Sequence, residues 1–255
     1  MKIACPRFHR HWSWKLSAGR QKCRRCGYKY HLRSVWDACY LDSQTKSKLL
    51  DYFVLGVPCY RLRFKRLANL GTIQRFFRLI RAVLCLHEQC REPFTGNVEC
   101  DESPFGRHCK GKRGWGAGNK IIVLGILQSD GVARVFPIKG RGARKIIPLI
   151  ERSTTPGTLY YTDDWHAYAS LAVRGEHIVV KKDKGQPKGR DHINGIEGFW
   201  STAKHWLYHY RGVPKKVFPL YLGEISYRFN NRDKDLYPLI YKILRGTEVS
   251  KIANF

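Results

Sequence analysis

The chain changes its hydrophobic rhythm twice, near residues 41 and 93, and each change marks a different kind of element. Residues 1–40 show little helical period and few apolar runs. From 41 to 92 apolar residues recur at helical spacing: Leu49, Leu50 and Phe53 lie on a first short helix, Gly56-Val57-Pro58 breaks it, and a second segment runs to Asn69. After a turn at Gly71, with Thr72 as its expected cap, Ile73, Phe76, Phe77, Ile80, Val83 and Leu84 follow at i, i+3, i+4 spacing, which predicts a long amphipathic helix. Beyond Pro93 the period falls to two. Lys120 to Leu127 and Val132 to Ile138 read as strands joined at Ser129-Asp130-Gly131. A helix near Arg144 to Glu151, a strand from Thr158 to Thr162, a helix from Trp165 to Leu171 and a short strand from His177 to Val180 come next. A basic, glycine-rich loop follows, and then a helix that opens after His192.

That order fits an α/β fold, a mixed sheet flanked by helices of the ribonuclease H type. Three regions are expected: a zinc-ribbon-like module (1–40), a helix-turn-helix DNA-binding region (41–92) and a catalytic domain (93–255).

Charge narrows the partners. With 47 Lys and Arg against 20 Asp and Glu, the net charge of +27 is spread over the whole length and calls for a polyanion. No apolar run approaches the roughly 20 residues that cross a bilayer, so the expected polyanion is DNA and not a membrane surface. Nine cysteines, an odd number in a long basic chain, read as thiols and metal ligands and not as a disulfide framework. Cys23-Arg24-Arg25-Cys26-Gly27 is a CxxCG knuckle, and Cys5-Pro6 resembles the start of an opposing one, in which Phe8 stands where a second cysteine is expected. A structural zinc site from Cys5, His9, Cys23 and Cys26 follows as an expectation, with a metal-free ribbon as the alternative. On the long helix, Arg75, Arg78 and Arg81 fall mostly away from the apolar stripe and are expected to meet DNA phosphates.

Three acids end or open elements in a way that suits metal-assisted phosphodiester chemistry. Glu99, Asp101 and Glu102 compete at the first position, where strand alternation puts Glu99 and Asp101 on one side and Glu102 on the other, and Asp101 is preferred as lying at the strand end. At the second, Asp163 is preferred because Asp164 can cap the following helix. On the last helix Ile196, Phe199, Trp200, Ala203 and Leu207 form a buried stripe, leaving Glu197, Ser201 and Lys204 on an open face. Carboxylates from Asp101, Asp163 and Glu197 would hold two Mg²⁺ or Mn²⁺ ions, and Lys204 would hold the DNA backbone.

The segment from Gly96 to about Arg232 resembles transposases of the IS1595 superfamily of insertion sequences, most closely the IS1016-like branch related to the eukaryotic Merlin elements. The resemblance is carried by Val98-Glu99-Cys100-Asp101-Glu102-Ser103, Gly111-Lys112-Arg113-Gly114-Trp115-Gly116, Tyr161-Thr162-Asp163, the His192 to Lys204 block and Tyr227-Arg228-Phe229-Asn230-Asn231. It implies a DDE transposase with a ribonuclease H-like catalytic domain, in which Asp101, Asp163 and Glu197 match the triad and Lys204 the basic residue after it. His192 and Asn194 are expected to assist at that site or to cap the helix. Lys112 and Arg113 sit in a loop suited to DNA phosphates, and Arg228, Asn230, Asn231 and Arg232 are left between DNA, a partner subunit and the helix 192–209. Binding of terminal inverted repeats, cleavage, strand transfer and at least a dimer on DNA follow as expectations, in the cytoplasm with the nucleoid if bacterial or in the nucleus if eukaryotic. The competing readings are a ribonuclease H-fold nuclease without strand transfer and a transposase-derived DNA-binding regulator.

Overall fold

The computed structural model describes residues 5, 7–8, 12–17, 20–31, 34–106, 120–180, 192–210 and 212–252. The N-terminal region is a three-stranded antiparallel sheet of β1 (Ser13–Lys15), β2 (Arg20–Cys23) and β3 (Lys29–His31) in that order. Strands this short bury little surface, and among the described residues the core here is Cys5, Cys23 and Tyr30 with Cys26 and Tyr28 against them. The turn between β2 and β3 is the cysteine knuckle: the Gly27 N–H donates to the Cys23 carbonyl at 3.0 Å, with Gly27 at φ +66°.

The helical part begins with α1 (Ser43–Val54), whose first turn is closed by Asp42 accepting from the Thr45 N–H at 2.8 Å and whose Leu49, Leu50 and Phe53 are buried. A 3-10 helix, Cys59–Lys65, leads to α2 (Leu70–Gln89). Asn69 caps α2, accepting from the Gly71 N–H at 2.8 Å, so the helix starts earlier than Thr72. Both residues are cap formers; the side-chain bond goes to the one that frees Leu70 and Gly71 to enter the helix.

α2 buries more than its apolar stripe. Arg81, Cys85 and Glu88 are inside as well, because α5 (Phe218–Asn230) packs along a second face of α2, and α6 (Leu236–Gly246) closes the same core. Residues 41–92 therefore share their core with the C-terminal helices, and the change of pattern near residue 92 is not a break in packing.

The second sheet has five strands: β4 (Asn97–Phe105), β5 (Ile121–Gln128), β6 (Ala133–Ile138), β7 (Leu159–Thr162) and β8 (His177–Val179), in the order β6-β5-β4-β7-β8. β4, β5 and β6 are antiparallel neighbours, while β7 runs parallel to β4 and β8 parallel to β7. This mixed α/β layering is consistent with a ribonuclease H-like transposase domain. One face is covered by α3 (Ala143–Ser153) and a 3-10 helix, His166–Val173, the form taken by the helix expected from Trp165; their core includes Cys100, Ile146, Tyr160 and Tyr168. The other face is covered by α4 (Asn194–Tyr208) and α5, through Ile196, Phe199, Trp200, Phe218 and Ile225.

Candidate active site

The alternation of β4 divides its three acids between the two faces. Glu99 and Asp101 point towards α4, and Glu102 points towards α3 and the 3-10 helix. α4 lies along β4: the Ile196 N–H donates to Glu99 Oε2 at 2.7 Å and the Trp200 Nε1–H donates to Asp101 Oδ2 at 3.0 Å. Two glycines make that approach possible. A Cβ on Gly125, the β5 partner of Asp101, would stand 2.6 Å from the Trp200 ring, and one on Gly195 would stand 2.9 Å from Glu99 Oε1.

Glu99 thus does the capping expected of Asn194. A carboxylate at a helix N-terminus satisfies an N–H that has no partner in its own helix, and Asn194 is an exposed first residue without a side-chain cap bond. His192 lies 4.0 Å from Glu99, and burial pushes the Glu99 carboxyl above its ordinary range against the pull of the Ile196 N–H and His192.

Asp101 is not at the end of β4, which continues to Phe105. It is at the end of the parallel pairing: Cys100 is level with Thr162, so Asp101 and Asp163 occupy the next positions on neighbouring strands. Asp163 leaves β7 as a turn, accepting from the Trp165 N–H at 3.2 Å, while the 3-10 helix that follows has no side-chain cap and Asp164 does not supply one. The Thr162 hydroxyl braces that turn, donating to the Asp163 carbonyl at 2.8 Å. Asp101, Glu102, Asp163 and Asp164 then line one cleft of about 460 Å³ with Arg141, Trp165 and Val180.

Glu197, exposed on the first turn of α4, is not among the residues lining this cleft. Phe199 packs on Phe229 of α5, with ring centroids 4.9 Å apart, and at about 100° per residue Glu197, Ser201 and Lys204 lie on the opposite flank of α4. Lys204 is exposed, its ammonium 5.9 Å from the centre of the Phe105 ring. Among the described residues, the one group of three potential metal ligands whose donor atoms all lie within 4.8 Å of one another is Cys5, Cys23 and Cys26, so the three acids do not close to that distance.

The sequence offers no signal for the other half of the cleft. Glu102, taken there only as a rejected ligand, accepts from Arg141 Nη2 at 2.8 Å and from the Tyr168 hydroxyl at 2.7 Å, and the Trp165 indole donates to the Arg141 carbonyl at 3.0 Å. Arg141 stacks 4.3 Å from the Trp165 ring, so its guanidinium is fixed beside the aspartates. Arg141 stands between Gly140 and Gly142, and a glycine-flanked arginine is common on surfaces and marks no site.

The comparisons with known proteins bear on the same residues. An ISXO2-like transposase domain of the IS1595 family matches residues 93–230, more than half of the sequence. The chain belongs to the ISXO2-like transposase family. Among its relatives, an uncharacterized transposase-like protein of Haemophilus influenzae is 32% identical over 106 residues, covering 41% of this chain and 86% of that protein. An uncharacterized protein in transposable element ISH50 of Halobacterium salinarum is 28% identical over 176 residues, covering 61% of this chain and 57% of that protein.

In this transposase-family chain the N-terminal cysteines form a compact thiol cluster, with Cys5 Sγ 3.7 Å from Cys26 Sγ. Three soft donors at that spacing are compatible with zinc. The Cys26 N–H, offset in part by burial, holds the Cys23 thiol down at about 7. His9, the expected fourth ligand, lies outside the described residues. Phe8 is 43% exposed, with the Arg25 guanidinium 5.1 Å from its ring.

Of the expected DNA-contacting arginines, Arg75 and Arg78 are exposed on the first half of α2. Arg81 is not: it is 4% exposed, its Nε bonded to Glu224 at 2.6 Å and its guanidinium 4.0 Å from the Tyr221 ring. The second packing face of α2 removes it from the helix surface. Lys112 and Arg113 lie outside the described residues. Arg228 to Arg232 join parts of the fold: Arg228 bonds Glu224 and the Val54 carbonyl, Asn230 the Ala133 backbone and Glu88, Asn231 the Tyr227 carbonyl and Arg232 the Gly131 carbonyl.

Proposed function

We propose that this chain is a DDE-type DNA transposase of the IS1016-like branch. It binds the terminal inverted repeats of its element, cleaves at the ends and joins the freed 3′ hydroxyls to target DNA. The observation that supports the reading is that Asp101 and Asp163 each follow the last β4/β7 pair, Cys100 with Thr162, and line one cleft.

Carboxylate oxygens are hard donors, and the pair suits Mg²⁺ or Mn²⁺ better than zinc, with Glu197 on the flank of α4 as the third ligand. When bound, two such ions supply Lewis acidity at the attacking and departing oxygens of the phosphodiester. Trp200 and the Trp165 N–H each hold one oxygen of Asp101 and Asp163 in place, fixing where those carboxylates point. Arg141, held by Glu102 and Trp165, contacts a phosphate oxygen of the scissile strand. Lys204 and the exposed Arg75 and Arg78 contact backbone phosphates, as do Lys112 and Arg113, and His192 and Asn194 line the approach to Glu197. In this reading α1 and α2 serve as a helix-turn-helix, the N-terminal sheet as a zinc ribbon closed by His9, and the working unit on DNA is at least a dimer, as joining two ends requires.

The test supplies end duplexes carrying the inverted repeats, target DNA and Mg²⁺ or Mn²⁺. End-to-target joints that disappear in Asp101→Ala, Asp163→Ala and Glu197→Ala support the proposal. Cleavage without joints would replace it with a nuclease. Repeat binding without cleavage, unchanged by the three substitutions, would replace it with a regulator.

A further inference from the structure

A second cleft, of about 290 Å³, opens between the 3-10 helix 59–65 and the exposed half of α2, remote in sequence from the acids. Tyr60, Gln74, Arg78, Arg81, Tyr210 and Tyr221 line it, and among the described residues no carboxylate does. Its volume is at the small end of ligand pockets, about 300–1,000 Å³.

Arg81 lines the cleft, and the charge around it is unbalanced by Arg228, which is not among the lining residues. Arg81 and Arg228 share one carboxylate, Glu224, at 2.6 and 2.9 Å, and Glu224 is wholly buried. Two guanidinium groups on one carboxylate leave an excess positive charge, which a neighbouring anion would offset. The walls are aromatic: Tyr210 and Tyr221 meet edge to face at 5.0 Å, and Tyr60 stands 39% exposed at the mouth. Along the same 3-10 helix and just after it, Arg61, Arg63, Lys65 and Arg66 are exposed, and Arg63 lies 4.6 Å from the ring of the exposed Phe64. Rings for stacking and cations for phosphate are the features of single-strand nucleic-acid sites. A paired base is stacked on both sides and offers no face to a ring.

We infer that this cleft binds one unpaired nucleotide of a DNA strand, its base against Tyr60 and the Tyr210–Tyr221 pair and its phosphate at Arg78 and the positive charge around Arg81. The inference rests on the transposase reading for the source of the strand. A free nucleotide shares the chemistry but lacks the flanking phosphates that the exposed cations of the 3-10 helix would hold.

The experiment uses the full chain and fluorescence anisotropy with a short single-stranded oligothymidylate, a blunt duplex of equal length and thymidine monophosphate. Tyr60→Ala is expected to weaken single-strand binding about tenfold and duplex binding about twofold or less, and Tyr60→Trp to restore it. Arg78→Ala is expected to weaken both. Thermal melting of each variant confirms that the fold is kept, since both side chains are exposed. Single-strand binding that ignores Tyr60→Ala, or a monophosphate that binds as tightly as the strand with the same Tyr60 dependence, overturns the inference. The end-joining assay on the same wild-type preparation separates the two readings. Joining without Tyr60-dependent strand binding removes only this cleft, and the converse removes only the strand-transfer activity.

Discussion

Two regions of the molecule gather charges that tertiary structure brings together, and they treat them in opposite ways. Between α2 and α5, Arg81 and Arg228 clasp Glu224 with no side-chain surface left on the acid. Burial alone would lower the Arg81 guanidinium, but Glu224, with Tyr221 and Tyr210, more than offsets it and holds its pKa above the ordinary value. At the end of the β4/β7 ladder, four carboxylates line an open cleft with one arginine. The first arrangement resembles a rivet between segments distant in sequence. The second keeps like charges close together at a solvent-accessible edge, which costs stability and is useful where a cation or a phosphate is to be received.

Substitutions can sharpen that contrast. The largest effect is expected on chemistry at the open cleft: Asp101→Asn and Asp163→Asn should lower strand cleavage by about a thousandfold or more, because neutral amides hold divalent ions poorly. Denaturant unfolding of the same variants should shift by about 1 kcal/mol or less. The rivet should behave in reverse. Glu224→Ala leaves two buried guanidinium groups without their carboxylate and should cost about 3–5 kcal/mol of stability, read as a lower urea midpoint. Equal destabilisation by the three substitutions would erase the distinction. Trp200→Phe, which removes the donor on Asp101 but keeps a ring against Gly125, should cost about 1.5–3 kcal/mol in the activation barrier, measured as the cleavage rate at saturating metal.

The smallest effect concerns pH. Burial raises the Glu102 carboxyl above its ordinary value, although Tyr168 and Arg141 pull it down. Its native form therefore binds a proton more tightly than the unfolded chain does. That contribution to stability is fully present below the ordinary carboxylate pKa and is lost as pH rises through the raised value. Glu102→Gln should flatten this decline in urea midpoints taken from acid to neutral pH, and an unchanged slope would assign it to another group.

The sequence made β4 legible because alternation is a local property: one residue apart means opposite faces, and Glu99 and Glu102 follow that rule. The apolar stripe of α2 was legible for the same reason. Arg81 was not, because its burial depends on Glu224, 143 residues away, and a helix packed on two sides looks amphipathic when only one side is apolar. Caps were half legible. Asn69 and Thr72 both have the chemistry, and only the path of the preceding 3-10 helix chooses between them. Glu99 as the cap of α4 joins elements 97 residues apart and has no local signature. The cysteine knuckle was visible as spacing, and the approach of Cys5 to Cys26 came from folding the three-stranded sheet.

In the proposed chemistry Asp101 and Asp163 together hold a divalent cation at the end of the parallel strands. Anomalous scattering from Mn²⁺ in crystals of the full chain with an end duplex measures this directly. The account predicts a peak at about 2.0–2.3 Å from a carboxylate oxygen of each, with Glu197 turned towards it. A peak bound elsewhere, or none in the cleft while the duplex is seated on it, would contradict it.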